Sequence, residues 1–242
     1  MRIAHHSEHD PSLAWLGALL HSTDSAYPIG GFAHSGGLEG LTGLGRITSA
    51  EHLSEFLRHE ITDTLQFVDL PLLYHSWLAA TAQDEQSLVE LDQLGEAARF
   101  GAEPRQASRR LGAQRWSLFN KLHGASLPPA DSEWISALDA VIPHRHLCTV
   151  AGIEAAVLGV PAAAAMMAMA HQAVMMVAQA SLKLIRVGQT SVQTLVAEMA
   201  MRFPEMVLGA MQIDLADIGT CLPRYDIGTA WHETAPARMF LS

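Results

Sequence analysis

Apolar positions recur along most of this chain with the three-to-four-residue spacing that puts them on one side of a helix. Leu13, Leu16, Leu19 and Leu20 follow Ser12, a residue type that caps helix N-termini, and predict a first helix of about ten residues. Thr48-Ser49-Ala50-Glu51 reads as a capping box opening a helix striped by Leu53, Phe56, Leu57, Ile61 and Leu65. Asp69 before Leu70-Pro71 predicts a fresh helix start running through Trp77. Leu88, Leu91 and Leu94 carry the period toward Phe100, where Gly101 closes it, and Pro104 stands early in the helix after that. Leu127-Pro128-Pro129-Ala130 is a break, with Asp131 placed to cap a short helix through Leu138.

From Leu147 to Gly188 the pattern changes, because no Asp, Glu, Lys or Arg stands between Glu154 and Lys183. Such a stretch is a membrane span, a buried core helix or a partner surface. Gly159 and Pro161 divide it, leaving a second helix from Ala162 to Val187 of about 39 Å. His171, Gln172 and Gln179 interrupt its apolar surface, Ala contributes little to membrane insertion, and a helix apolar all round is otherwise buried, so the core reading outweighs the span. Met166, Met167, Met169, Met175 and Met176 suit irregular core filling first, adaptable interfaces or soft metals second. Gly188 ends this helix, and Thr190-Ser191-Val192-Gln193 reads as a capping box for the next, with Leu195, Val196 and Met199 on its apolar side. A short helix follows around Pro204, after which residues 214–242 lose periodicity. The expected architecture is one all-α domain over 12–213, a bundle of about ten helices around the central apolar helix. A flexible, His-rich tail at 1–11 precedes it and an unstructured docking tail at 214–242 follows.

Composition sharpens this. The 49% of hydrophobic residues, with three Tyr and seven Phe among many Ala, Leu and Met, favours helix formers over strand formers. A formal net charge of −10 argues against tracking phosphates of nucleic acid and leaves room for a basic protein partner. Only Cys148 and Cys221 are present, without metal spacing, which fits the reducing cytoplasm, and the polar first eleven residues lack the apolar core of a signal peptide.

Candidate chemistry is sparse. The run from Ala26 to Gly40 contains Pro28 and a set of glycines, but no Gly-Lys-Ser/Thr follows, as a phosphate-binding loop requires. Ser35 has Ala33 where a nucleophile elbow needs Gly, so a Ser35/His34 hydrolase is a weak alternative to glycines that let helices cross closely around a Pro28 turn. His52, Glu55 and His59 fall near one helix side, and His144, His146 and Cys148 alternate. The chain has no HExxH zinc motif to support the first set and no distant pair of matching spacing to complete the second, so solvated face and helix-start residues outweigh metal ligation. Arg105, Arg109, Arg110, Arg115 and Lys121 form one basic segment, a solvated surface or a docking face.

Four patches together resemble the urease accessory protein UreF family. They are Tyr27 to Glu39, with its Pro-hydrophobic-Gly and Ser-x-Gly-Leu-Glu pattern; Glu103-Pro104-Arg105-Gln106-Ala107-Ser108; His146 to Gly152 with Leu182 to Thr190; and Asp226-Ile227, His232-Glu233-Thr234 and Arg238-Met239-Phe240-Leu241-Ser242. The chain departs from the family at Arg186, Ser191-Val192 and Ala230-Trp231. The resemblance implies an all-helical, non-enzymatic chaperone with no cofactor or resident metal of its own. In that role it bridges UreD (also called UreH) and the nickel-carrying GTPase UreG, promotes nickel insertion into the urease apoprotein and thereby acquires an association with nickel-ion binding. It also implies a homodimer in the cytoplasm, away from membrane. By residue match, His232, Glu233, Arg238, Met239 and Phe240 would serve the UreD side. Pro28, Gly30, Gly31, Phe32, His34, Ser35, Gly37, Glu39, Lys183 and Gln189 would contact UreG or shape its site.

Overall fold

The computed structural model describes residues 13–242; the expected tail at 1–11 and the Ser12 cap lie outside the described residues. Among the described residues there are eleven α-helices and no strand, in a single all-α domain. They are α1 (Ala14–Thr23), α2 (Leu38–Gly43), α3 (50–81), α4 (Glu85–Ala97), α5 (Ala102–His123), α6 (Pro129–Val141), α7 (Leu147–Val157), α8 (Ala162–Leu184), α9 (Gln189–Ala200), α10 (Phe203–Ala210) and α11 (Pro223–Glu233).

Helix α3 corrects the expected start at Asp69. It runs unbroken through Pro71 by widening into π turns at Leu57–Ile61 and Leu65–Asp69. Proline has no N–H for the carbonyl four residues earlier. That carbonyl, of Phe67, instead accepts the N–H of Gly219 at 3.0 Å, so the interruption is satisfied from the far end of the chain. The cap of α3 is Ser49, whose hydroxyl accepts the N–H of His52. Two other expected caps are displaced. Helix α9 begins at Gln189 behind Gly188, with Thr190 already inside it, and α6 begins at Pro129, with Asp131 in its first turn.

The long apolar stretch is two helices with different roles. Helix α7 is the central one: every residue from Cys148 to Ala155 is buried, between the Leu70–Thr81 part of α3 and α5. Its one charge, Glu154, meets Arg115 of α5 through two hydrogen bonds, 2.7 and 3.1 Å, with side chains 3% and 7% exposed. Helix α8 packs one side on α9, α10 and α2, while Met167, Ala168, Met175 and Met176 stay partly open on the other. It is long and apolar enough to cross a membrane by length and composition, and 44% of that window is buried inside this chain.

Residues 214–242 also differ from expectation. They contain α11, which lies across α2, and their last residues fold back onto the chain, with Phe240 and Ser242 buried. The apolar period is weak there because α11 makes its contact with small residues. The carbonyl oxygen of Gly228 would stand only 2.0 Å from a Cβ on Gly40, so these two helices touch backbone to backbone.

Candidate functional site

The glycine-rich run and the terminal segment, about two hundred residues apart, come together at Glu39. Turns on either side of the Gly31–Ala33 3-10 turn carry the chain into α2, and the left-handed backbone at Gly37 (φ 84°) lets Ser35 and Glu39 face the same way. Residues 239–242 lie along this run. Leu241 donates its N–H to the carbonyl of Ala33 at 2.7 Å. The N–H and hydroxyl of Ser35 both donate to the Ser242 carbonyl oxygen at 2.7 Å, and His34 Nδ1 lies 2.7 Å from the Ser242 hydroxyl.

Glu39 is the hub. Its Oε1 accepts the N–H of Met239 at 2.7 Å, and its Oε2 accepts the N–H of Phe240 at 2.9 Å and lies 2.9 Å from His232 Nε2. On the other side of the ring, His232 Nδ1 lies 2.6 Å from Glu103 Oε2, and the second oxygen of Glu103 accepts from Arg238 Nη1 at 2.8 Å. The four side chains alternate in charge type, and His232 between them is 1% exposed. Burial alone would raise the Glu39 carboxyl, but the Met239 N–H, the His232 ring and the Phe240 N–H outweigh it and hold its pKa below the ordinary value. Burial, with Arg110 nearby, pushes His34 down.

Neighbouring residues complete the assembly. Glu233 accepts from the N–H groups of Ala102 and Glu103, a carboxylate at the positive end of α5. The Lys183 ammonium stands 5.5 Å from the Phe240 ring centre. Phe32, Met239 and Leu241 leave their side chains 52, 61 and 52% exposed over this fold-back, so loop and terminal segment offer one composite apolar surface.

The sequence-derived residues thus divide. His34, Ser35, Glu39, Lys183, His232, Arg238, Met239 and Phe240 are assembled in one place, although the first four were assigned to one partner and the last four to another. Gly30, Gly31, Phe32 and Gly37 shape the loop that receives the segment. Pro28 and Gln189 are exposed and, among the described residues, make no hydrogen bond to this cluster. Glu103 and Ser242 were missed as site residues. An acid in the first turn of a helix is ordinarily a solvent-facing dipole partner, and nothing local marks Glu103 as buried beneath another helix.

The weaker readings can be placed too. Ser35 donates its hydroxyl to Ser242 and accepts the N–H of Glu39, so its oxygen is engaged in holding the chain rather than paired with His34 as a nucleophile. His146 is buried against Ser108 and Glu96, whereas Cys148 sits beside Asp69 and Arg99. Burial and the nearby Asp69 push the Cys148 thiol far up, away from the reactive thiolate. His52 and His59 lie on the exposed side of α3. Of the basic segment, Arg105 and Arg109 meet Glu96 and Arg115 meets Glu154, leaving Arg110 and Lys121 exposed.

Beside the fold-back lies a largely apolar cavity of about 1030 Å³ between α1, the glycine-rich run, α8 and α11, lined among others by Leu16, Leu20, Met167, Met176 and Tyr225. The paired Asp69 and Arg99 reach its wall.

A model of the UreF family matches residues 47–200, from just before α3 to the end of α9. The urease accessory protein UreF of Chromohalobacter salexigens is 31% identical over 236 residues, covering 98% of this chain and 97% of that protein. That of Actinobacillus pleuropneumoniae serotype 5b is 26% identical over 227 residues, covering 94% and 99%. That of Bradyrhizobium diazoefficiens is 28% identical over 218 residues, covering 90% and 87%.

Proposed function

This chain belongs to the UreF family, and from that premise we propose that it is a non-enzymatic urease accessory protein, an adaptor that joins UreD (UreH) to the GTPase UreG and so promotes nickel insertion into the urease apoprotein. The observation that carries this reading is the composite surface. Two segments that the family resemblance singles out are folded together by Glu39, and their polar groups are occupied in holding peptide, while Phe32, Met239 and Leu241 face outward. Such a surface supplies binding energy and position, not bond-making groups.

In this account the UreD side docks on residues 238–241 in their folded-back form, with Arg238 half-exposed at its edge. UreG, which brings the phosphate chemistry, is reached through the glycine-rich run and the Lys183–Gln189 exit of α8. The adaptor acts by contacting one state of its GTPase partner more favourably than another. The assembly is a cytoplasmic homodimer carrying two copies of each partner. The test is co-purification of the full chain with UreD and with UreG, with and without GTP, compared with a chain lacking 238–242. The expected result is loss of UreD with unchanged helical circular dichroism; retained UreD would overturn the reading.

A further inference from the structure

The cavity of about 1030 Å³ beside the fold-back has apolar walls and a polar floor that the adaptor role does not use. Leu20 and Phe32, both exposed, mark its mouth at α1 and the glycine-rich run. Met167 and Met176 of α8 line it, and unbranched methionine re-packs around chains of differing shape. On the floor stand Asp69, Arg99 and Tyr225. Asp69 closes the second π turn of α3, and such widened turns recur at functional sites.

Asp69 and Arg99 form an ion pair with side chains 21 and 10% exposed, so together they bring no net charge to the floor. Arg99 is engaged at both terminal nitrogens. Its Nη1 donates to the Gly95 carbonyl at 2.7 Å, and its Nη2 donates to Asp69 Oδ1 and, at 3.4 Å, to the Cys148 sulfur. Asp69 is engaged at one oxygen only. Among the described residues its Oδ2 accepts no hydrogen bond and the Tyr225 hydroxyl has no partner, yet both atoms are accessible and both residues line the cavity. The Tyr225 ring is wedged against Gly37, where a Cβ would come within 2.8 Å of it, so the hydroxyl is held in place. Burial and the nearby Asp69 carboxylate push this phenol far up, which keeps it neutral and able both to donate and to accept.

We propose that this cavity binds a neutral amphiphile, an aliphatic chain ending in a hydroxyl or a primary amide, with the chain among Leu16, Leu20, Met167 and Met176 and the head group at Tyr225 and Asp69. The open groups select the head. A hydroxyl or amide donates to Asp69 Oδ2 and accepts from the Tyr225 hydroxyl, giving each the hydrogen bond it lacks. A carboxylate head would meet the open oxygen of Asp69, while the Arg99 nitrogens that could attract it are already committed. An ammonium head would reach Asp69 only by crowding the guanidinium beside it. A plain hydrocarbon, or an apolar side chain of a second protein, would strip water from both open groups and leave them unpaired, a desolvation cost set against its own burial. The volume lies at the upper end of the roughly 300–1,000 Å³ usual for small-molecule sites, room enough for a chain with its head group.

The test uses the full chain labelled at its methionine methyl groups and titrated with n-octanol and with ionised octanoate. The expected result is a saturable shift of the Met167 and Met176 methyl signals with n-octanol, while Met199, which lies outside the cavity, stays unmoved. Octanoate should bind at least about tenfold more weakly. Tyr225→Phe keeps the ring against Gly37 and removes only the hydroxyl, so n-octanol should bind that variant about fivefold more weakly, the effect of one hydrogen bond. If the variant does not fold, the comparison of n-octanol with octanoate on the natural chain decides by itself. No saturable shift, equal affinity for the two probes, or a folded Tyr225→Phe chain that binds n-octanol as tightly as the natural one would overturn the site. An n-octanol affinity that falls as protein concentration rises would assign the cavity to a second copy of the chain and overturn it as well.

Discussion

Replacing Glu39 with alanine removes the acceptor for two backbone N–H groups of the terminal segment, those of Met239 and Phe240, along with one of the two partners of His232. Hydrogen bonds to a charged group contribute about 1.5–3 kcal/mol each. Water can replace part of this at Met239, which is exposed, so the loss for the segment falls at the lower end, about 3 kcal/mol. Ordering residues 238–242 costs about 1–2 kcal/mol per residue in backbone freedom, which leaves little surplus among the remaining contacts. A loss of about 3 kcal/mol shifts the docked-to-free ratio by roughly 100-fold, at 1.4 kcal/mol per tenfold. The Leu241 amide reports this cleanly, because it donates to Ala33 and not to Glu39. Hydrogen exchange at Leu241 should therefore lose about 100-fold of its protection in Glu39→Ala, with α7 amides unaffected. If Leu241 keeps its protection, Glu39 is not the hub of the fold-back and the reasoning fails.

Four further outcomes follow from the same structure. Arg115→Met alone leaves the Glu154 carboxylate buried without its partner and should cost about 3–5 kcal/mol, while Arg115→Met with Glu154→Leu should recover most of it; calorimetric melting of both variants decides, and a neutral single variant would contradict the assignment. Gly40→Ala puts a methyl group 2.0 Å from the Gly228 carbonyl oxygen and should destabilise by about 1–3 kcal/mol as α2 and α11 are forced apart, read from urea unfolding. Burial pushes His146 down to about 4, so the folded ring resists a proton that the unfolded chain accepts near 6.5, and stability should fall as pH drops through that window. The Arg109 hydrogen bond, against opposing desolvation, helps hold Glu96 at about 2, so its contribution is present above 4.5 and disappears as pH falls toward 2; Arg109→Ala should flatten that acid limb of the urea-unfolding profile.

Much of the helical order was legible because one-sided packing writes a period into the residues, as Leu53, Phe56, Leu57, Ile61 and Leu65 of α3 show. What escaped depended on partners distant in sequence. Pro71 marks a helix start by every local rule, whereas α3 continues through it by widening into π turns, with the Phe67 carbonyl accepting the Gly219 N–H. The terminal segment read as unstructured because its attachment uses backbone contact at Gly40 and Gly228 and carboxylates from α2 and α5, none of which produces an apolar stripe. The glycine-rich run stood out locally, yet its acceptance of Leu241 and Ser242 could not be read from its own residues. Likewise the apolar stretch announced a core, but which half was central depended on α7 lying between α3 and α5 while α8 kept one side open.

The central claim is that the folded-back terminal segment forms the surface on which UreD docks. Calorimetric titration of purified UreD into the full chain and into the chain lacking 238–242 tests it most directly, with circular dichroism confirming equal helicity. The account predicts measurable binding to the full chain and at least a hundredfold loss without those residues, about 2.7 kcal/mol or more. Equal affinity of the two chains at equal helicity would contradict it.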